Sequence, residues 1–153
     1  MRSPVAIAKK FASIDAHDDT IEAIEVIPAA VRSPCRVKIV LNRHWKQQRR
    51  SLELIGCVNI AFAVDATMLF DNRPSNTCVL EASAAVGDIA KLMRSQRRAW
   101  NLTYEGGMNP LQPKIDAASK YVLFRIRLFG GNLEVVAKSF KFSRLTLRPN
   151  ATP

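Results

Sequence analysis

The feature that most constrains this fold is a β-hairpin signal over residues 121–142, YVLFRIRLFGGNLEVVAKSFKF. Two runs of strand-forming residues flank the turn sequence Gly130-Gly131-Asn132, a combination typical of hairpins. In the first run, apolar residues alternate with residues that include two cations. The apolar set is Val122, Phe124, Ile126 and Leu128. Because successive side chains of a strand point to opposite faces, one face should be buried and the other wet.

Further strands are predicted upstream of the hairpin. Residues 20–27 are rich in β-branched side chains and end at Pro28, although Ile21 and Ile24 also match helical spacing. Residues 35–42 alternate cleanly, and their expected inward residues are Val37, Ile39 and Leu41. The basic segment 43–50 is expected to form the tip of a second hairpin that leads into residues 51–55.

The remaining segments complete the predicted fold. The apolar run 52–64 reads as a strand bent at Gly56, and residues 77–82 read as another strand after a turn at 71–76. Helices are expected over residues 3–12, with Ser3 as N-cap and Pro4 in the first turn, and over residues 86–100. Two segments are expected to be irregular, a long loop at 101–119 and a terminal tail after a strand extension near 143.

These elements predict a single α+β domain over residues 1–153. It is predominantly an antiparallel β-sheet or sandwich-like, with about seven strands and one main helix near 86–100. Hydrophobic residues make up 48% of the chain and charged residues 24%, which is typical of a globular protein. No window approaches the ~20 apolar residues of a membrane span, so no membrane association is expected. The three cysteines are widely spaced and odd in number, which favours free thiols in the cytoplasm.

Charge is the one global oddity of the sequence. Lysine and arginine number 23 against 13 acidic residues, a formal net charge of +10. Residues 32–50 contain seven cations and no acid, whereas five acids cluster at positions 15–25. This asymmetry predicts a surface that attracts anionic partners. The alternative is a set of solvated faces and sheet edges that lysine and arginine keep soluble.

Catalytic motifs are incomplete. His17-Asp18 has the form of a metal phosphohydrolase doublet, but His44 is the one other histidine, and it lies among cations that would repel a metal ion. The alternative is a turn in which Asp18 or Asp19 accepts backbone hydrogen bonds. Cys57 lies in the most apolar run, where burial should raise its pKa and make it inert. We therefore predict a non-enzymatic protein with no catalytic residues, no metal and no cofactor.

The segment 14–64 resembles a group of small bacterial β-rich families. The resemblance is carried by the HD-x-x-I element at residues 17–21, by CRVKIVL at 35–41 and by LELIGCVNI at 52–60. Some of these families are described as immunity proteins of polymorphic toxin systems. The resemblance implies a protein that acts by binding a partner. Because the chain is strongly basic, that partner would have to be acidic.

Two basic clusters are the predicted partner-binding residues. The first is Arg43, Trp45, Lys46, Arg49 and Arg50, and the second, on the predicted helix, is Arg94, Arg97 and Arg98. Both clusters suit an acidic protein partner. Both also suit nucleic acid, because cations neutralise phosphates and tryptophan can stack on a base. A free sheet edge would additionally allow a homo-oligomer.

Overall fold

The computed structural model describes residues 3–64, 77–95 and 117–145, and it shows a β-rich α+β fold. Eight strands form two antiparallel sheets of four strands each, ordered β1-β2-β3-β8 and β4-β7-β6-β5. The strands are β1 (Thr20–Ile27), β2 (Arg36–Arg43), β3 (Gln48–Ile55), β4 (Asn59–Val64), β5 (Val79–Ala85), β6 (Val122–Leu128), β7 (Gly131–Ala137) and β8 (Ser139–Leu145). The helices are α1 (Pro4–Ala12) and α2 (residues 89–95).

A bent two-stranded ribbon connects the two sheets. β3 pairs with β8, and β4, which directly follows β3, pairs with β7, which directly precedes β8. Gly56 lies at the bend with a φ of +72°, and an added Cβ there would press on the Lys138 side chain. The apolar run 52–64 is therefore two strands in different sheets, and the second run of the predicted hairpin also divides, at Lys138.

A second connection joins the outer strands. Thr20 at the start of β1 forms an isolated bridge with Cys78, just before β5. The backbone N–H of Asp18 donates to the carbonyl of Val79, and the N–H of Val79 donates to the carbonyl of Asp19. The turn that precedes β1 is thus fixed against the second sheet.

The main core lies between the sheets and is closed by α1. Ser3 caps α1 by accepting the Ala6 N–H, as predicted. Phe11 is fully buried, and its ring packs edge-on against Phe124 at 4.8 Å and Phe140 at 5.2 Å between centroids. Because Phe140 belongs to β8, α1 holds that strand against the second sheet.

Most predicted elements are confirmed. β1 has the predicted bounds, β2 begins and ends one residue later, and its inward residues Val37, Ile39 and Leu41 are buried. The prediction of about seven strands agrees with the eight observed, and the two long runs each divide at a bend. Leu123, on the predicted wet face of β6, is buried because α2 residues Ile89 and Met93 cover it. The predicted segments 71–76, 96–100, 101–116 and 146–153 lie outside the described residues.

Candidate partner-binding groove

A buried ionic cluster underlies the tip of the β2–β3 hairpin. The Asp19 side chain is fully buried and accepts hydrogen bonds from Arg43 Nε at 2.8 Å and from an Arg50 terminal nitrogen. Arg43 also donates to the Asp15 carboxylate at 2.7 Å and to the Asp15 carbonyl at 2.6 Å. Antiparallel pairing of β2 with β3 brings the two arginines to the same end of the sheet.

Because the cluster is buried, its charged side chains depend on one another. The side chains of Arg43 and Arg50 are 5% and 6% exposed, so each guanidinium needs a fixed anionic partner. Hydrogen bonding to Arg43 lowers the pKa of Asp15, and burial lowers the pKa of Arg50. The Arg50 Nε atom is buried without a partner. Removing Asp19 would therefore leave two buried guanidiniums without their common partner, whereas removing one arginine would leave Asp19 paired with the other.

Aromatic rings cover the outer sides of both arginines. The Arg43 guanidinium lies 5.1 Å from the centroid of the Trp45 ring, and that of Arg50 lies 5.0 Å from the centroid of Phe142. Trp45 remains 56% exposed in the turn His44–Lys46, which ends at Gln47 in a left-handed conformation. The hairpin tip is therefore a compact, hydrogen-bonded turn with one exposed ring.

A groove of about 910 Å³ lies beside this cluster. Its walls come from the end of α1, the β2–β3 hairpin tip and β8. Six cations line it, against one acid, Asp15. The lining residues are Lys10, Ser13, Ile14, Asp15, Arg43, Lys46, Gln48, Arg50, Phe140, Lys141, Phe142, Ser143 and Arg144. We call this site the basic groove.

The basic groove contains only part of the first predicted cluster. Lys46 is exposed on its rim, as predicted. The prediction of partner-binding residues at the hairpin tip 43–50 needs correction for Arg43 and Arg50. Both are buried, because Asp19 holds their guanidiniums below the surface. Arg49 does not line the groove; it pairs with Glu22 at 2.6 Å.

The second predicted cluster is not brought to the groove in the described residues. Arg94 is exposed on α2, and its Nε donates to the Ala90 carbonyl of its own helix at 3.2 Å. Arg97 and Arg98 lie outside the described residues. Arg94 instead lines a smaller cleft of about 280 Å³ beside the turn Ala118–Lys120.

Three groove cations were missed by the sequence reasoning, namely Lys10, Lys141 and Arg144. They come from α1 and β8, which are far from the hairpin tip in sequence. Alternation in residues 139–145 shows that Lys141 is exposed, but it does not reveal that β8 pairs with β3. The signal that could have found the site is this non-local pairing, which brings Arg144 opposite Arg50.

The other residues considered for catalysis or metal binding make structural contacts. His17 Nδ1 lies 2.9 Å from Asp18 Oδ2 at an exposed turn, where Asp18 adopts a φ of +65°. His44 Nε2 lies 2.8 Å from the Thr20 hydroxyl and so ties the hairpin tip to β1. Burial raises the pKa of Cys57 to about 12, as predicted. No cluster of three potential metal ligands occurs within residues 3–64, 77–95 and 117–145.

Comparison with known proteins leaves the site to be interpreted from its own geometry. No protein-family model, no curated protein and no solved structure matches the chain. In the part of the chain that the structure describes, no helix combines the length and apolarity needed to cross a membrane.

Proposed function

We propose that this chain is a non-enzymatic interaction protein that binds an acidic segment of a partner protein in the basic groove. The observation that carries the proposal is the convergence of six cations on one groove with a single acid. Arg43 and Arg50 are already paired with Asp19. The other four groove cations form no ion pair within the described ranges. They are Lys10, Lys46, Lys141 and Arg144.

Exposed cations without an ion-pair partner are better placed to bind a partner protein than to stabilise the fold. They cost little to keep solvated, and they attract an anionic partner over roughly a Debye length, about 8 Å at physiological salt. Electrostatic attraction between these cations and an acidic partner increases the association rate more than it strengthens the individual contacts. The apolar groove residues Ile14, Phe140 and Phe142 add surface that a partner can bury.

The aromatic residues favour a protein partner over nucleic acid. Base stacking needs an open ring face. Phe142 faces the Arg50 guanidinium, Phe140 packs against Phe11 and Phe124, and one face of Trp45 is covered by Arg43. Nucleic-acid binding thus rests on the cations and on the remaining surface of Trp45.

The resemblance of residues 14–64 to immunity-type families agrees with this proposal. Such proteins act by binding another protein, and the basic groove supplies the complement to an acidic partner. Asp19 holds the side chains of Arg43 and Arg50 in place beside the groove before a partner binds, which lowers the conformational cost of binding.

The test is a binding comparison by fluorescence anisotropy. The probes are a labelled oligoglutamate peptide, a single-stranded RNA and a duplex DNA, each at low and near-physiological salt. The groove variant is Lys46→Gln, Lys141→Gln and Arg144→Gln combined. The matched control, which removes the same number of charges outside the groove, is Lys91→Gln, Arg94→Gln and Lys120→Gln combined.

We expect the peptide to bind at near-physiological salt and the groove variant to lose at least tenfold in affinity, while the control loses about twofold or less. Equal losses in the two variants would mean generic attraction to a polycation and would overturn the groove assignment. Preference for RNA or DNA over the peptide, lost in the groove variant, would replace the protein partner with nucleic acid.

A further inference from the structure

The basic groove runs along the edge of β8. Five consecutive residues of this strand, 140–144, line the groove. Successive side chains alternate between the two faces of a sheet, so a groove over one face would contact only every second residue. A groove lined by every residue must follow the strand's edge. Within the described residues, β8 has a strand neighbour on one side only, β3.

The backbone alternation identifies which groups face this edge. The Gly56 N–H donates to Cys35 on the β2 side of β3, whereas the Ile55 carbonyl accepts from Lys138 on the β8 side. Glu53 and Ser51, two and four residues before Ile55, therefore also direct their backbone groups toward β8. Their partners Lys141 and Ser143 are consequently bonded to β3. The backbone groups of the alternate residues, Phe140, Phe142 and Arg144, point away from β3, toward the groove.

We infer that an extended acidic segment of the partner pairs with β8 as a fifth strand of the first sheet. This inference rests on the proposed function and adds the conformation of the ligand. Strand addition supplies main-chain hydrogen bonds for affinity, while side chains on alternate positions give specificity. β8 spans seven residues, long enough for several such bonds.

The two faces of β8 predict the sequence pattern of that segment. Phe140 and Phe142 are half-buried on the core side, whereas Lys141 is exposed on the opposite face. Directly opposed residues of neighbouring strands contact each other, and opposite charges there are favourable. The added strand should therefore alternate acidic residues, beside Lys141, with apolar residues beside the two phenylalanines. Arg144 follows the two phenylalanines on the same face of β8, so the position beside it should also be acidic, and the alternation of the added strand should end there.

The other edge strands of the described residues are β1, β5 and β4, and none of them has this complementarity. β1 carries the acids Glu22 and Glu25, and β5 carries Glu81. β4 ends the second sheet, and its exposed residues Ala61, Phe62 and Ala63 are uncharged. Nothing on β4 selects an acidic segment. The charged groove wall beside β8 is what assigns the acidic partner to that edge.

The test uses a short synthetic peptide in which Glu and Val alternate, with one further Glu at the position that would lie beside Arg144. Its control has the same charge but a central Val replaced by Pro, which breaks an extended pairing. Hydrogen exchange by NMR follows the backbone amides of β8 with and without peptide. Two variants separate charge from backbone, since Arg144→Ala removes the cation and Arg144→Pro also removes the outward N–H, leaving the bonds to β3 in place.

We expect the alternating peptide to slow exchange at Phe140, Phe142 and Arg144, with little change at Lys141 and Ser143. It should bind at least tenfold tighter than its proline control, and Arg144→Pro should bind about fivefold more weakly than Arg144→Ala. Binding without protection of the outward amides would overturn strand addition and leave the groove proposal standing. Absence of binding by both the alternating peptide and oligoglutamate would overturn both.

Discussion

Arg43 and Lys46 lie three residues apart at one hairpin tip, yet their charges have opposite surroundings. Arg43 is buried and donates to two carboxylates, Asp15 and Asp19, whereas Lys46 is exposed and forms no ion pair within the described residues. The same contrast separates Arg50 from its cross-strand neighbour Arg144. Charge at this end of the sheet thus divides into a set that maintains the fold and a set that is available to a partner.

The division follows from desolvation. A guanidinium removed from water is stabilised only when fixed acceptors replace its hydration, and Asp19 supplies them for two arginines. An exposed cation keeps its water and adds little to stability. The effect of substitutions on the free energy of unfolding should therefore fall steeply from the centre of the cluster to the groove rim.

The largest effect is expected for Asp19→Ala. It leaves Arg43 and Arg50 buried without their common partner, so the free energy of unfolding should fall by about 3–5 kcal/mol. Denaturant unfolding followed by circular dichroism measures this change. A loss below about 1 kcal/mol would show that the two arginines do not depend on Asp19, and the distinction between the two sets of cations would fail.

Arg43→Met should have the next largest effect, a loss of about 1.5–3 kcal/mol, the range of hydrogen bonds that involve charged groups. Asp19 still retains Arg50 in this variant, so the loss should be smaller than for Asp19→Ala. Thermal unfolding of the two variants side by side checks the order. The reverse order would place the dominant stabilisation on Asp15 rather than on Asp19.

Asp15→Asn should cost no more than about 0.5 kcal/mol at neutral pH, because water screens a carboxylate that is 74% exposed. Its hydrogen bond from Arg43 lowers the Asp15 pKa in the folded state. The contribution is therefore complete above the ordinary aspartate pKa of about 3.9 and is lost as pH falls through the lower folded value.

Unfolding of wild type and Asp15→Asn between about pH 2 and pH 6 tests this sign. The two stabilities should converge as the pH falls, since protonation removes the same ion pair that the substitution removes. A difference that widens toward low pH would contradict a lowered Asp15 pKa.

The smallest effect on stability is expected for the groove variant with Lys46→Gln, Lys141→Gln and Arg144→Gln. Surface substitutions of this kind change the free energy of unfolding by about 0.5 kcal/mol or less each. Relief of like-charge repulsion beside Arg50 can make the sum slightly stabilising. Destabilisation by more than about 2 kcal/mol would mean that these cations also maintain the fold.

Local patterns explain how much of this could be predicted from sequence. Alternation in residues 35–42 and β-branching in residues 20–27 report burial along a strand, and both strands are present as predicted. The predicted positions of helix α1 and its cap are likewise encoded locally, by Ser3 and Pro4.

The candidate site depends on contacts that local patterns do not encode. Whether Arg43 is buried is decided by Asp19, which lies 24 residues earlier and reaches it through the turn before β1. Whether Arg144 lies near Arg50 is decided by the pairing of β3 with β8 across more than half of the chain. A count of cations in residues 32–50 therefore finds one side of the basic groove, yet it does not show that Arg43 and Arg50 are buried.

The most direct test of this division measures two quantities on the same groove variant, its free energy of unfolding and its affinity for the alternating Glu-Val peptide. We predict that affinity falls at least tenfold while the free energy of unfolding stays within about 1.5 kcal/mol of wild type, three substitutions at about 0.5 kcal/mol each. Unchanged affinity would contradict a partner-binding role for these cations. A parallel loss of folding and affinity would show that they belong to the same structural set as Arg43 and Arg50.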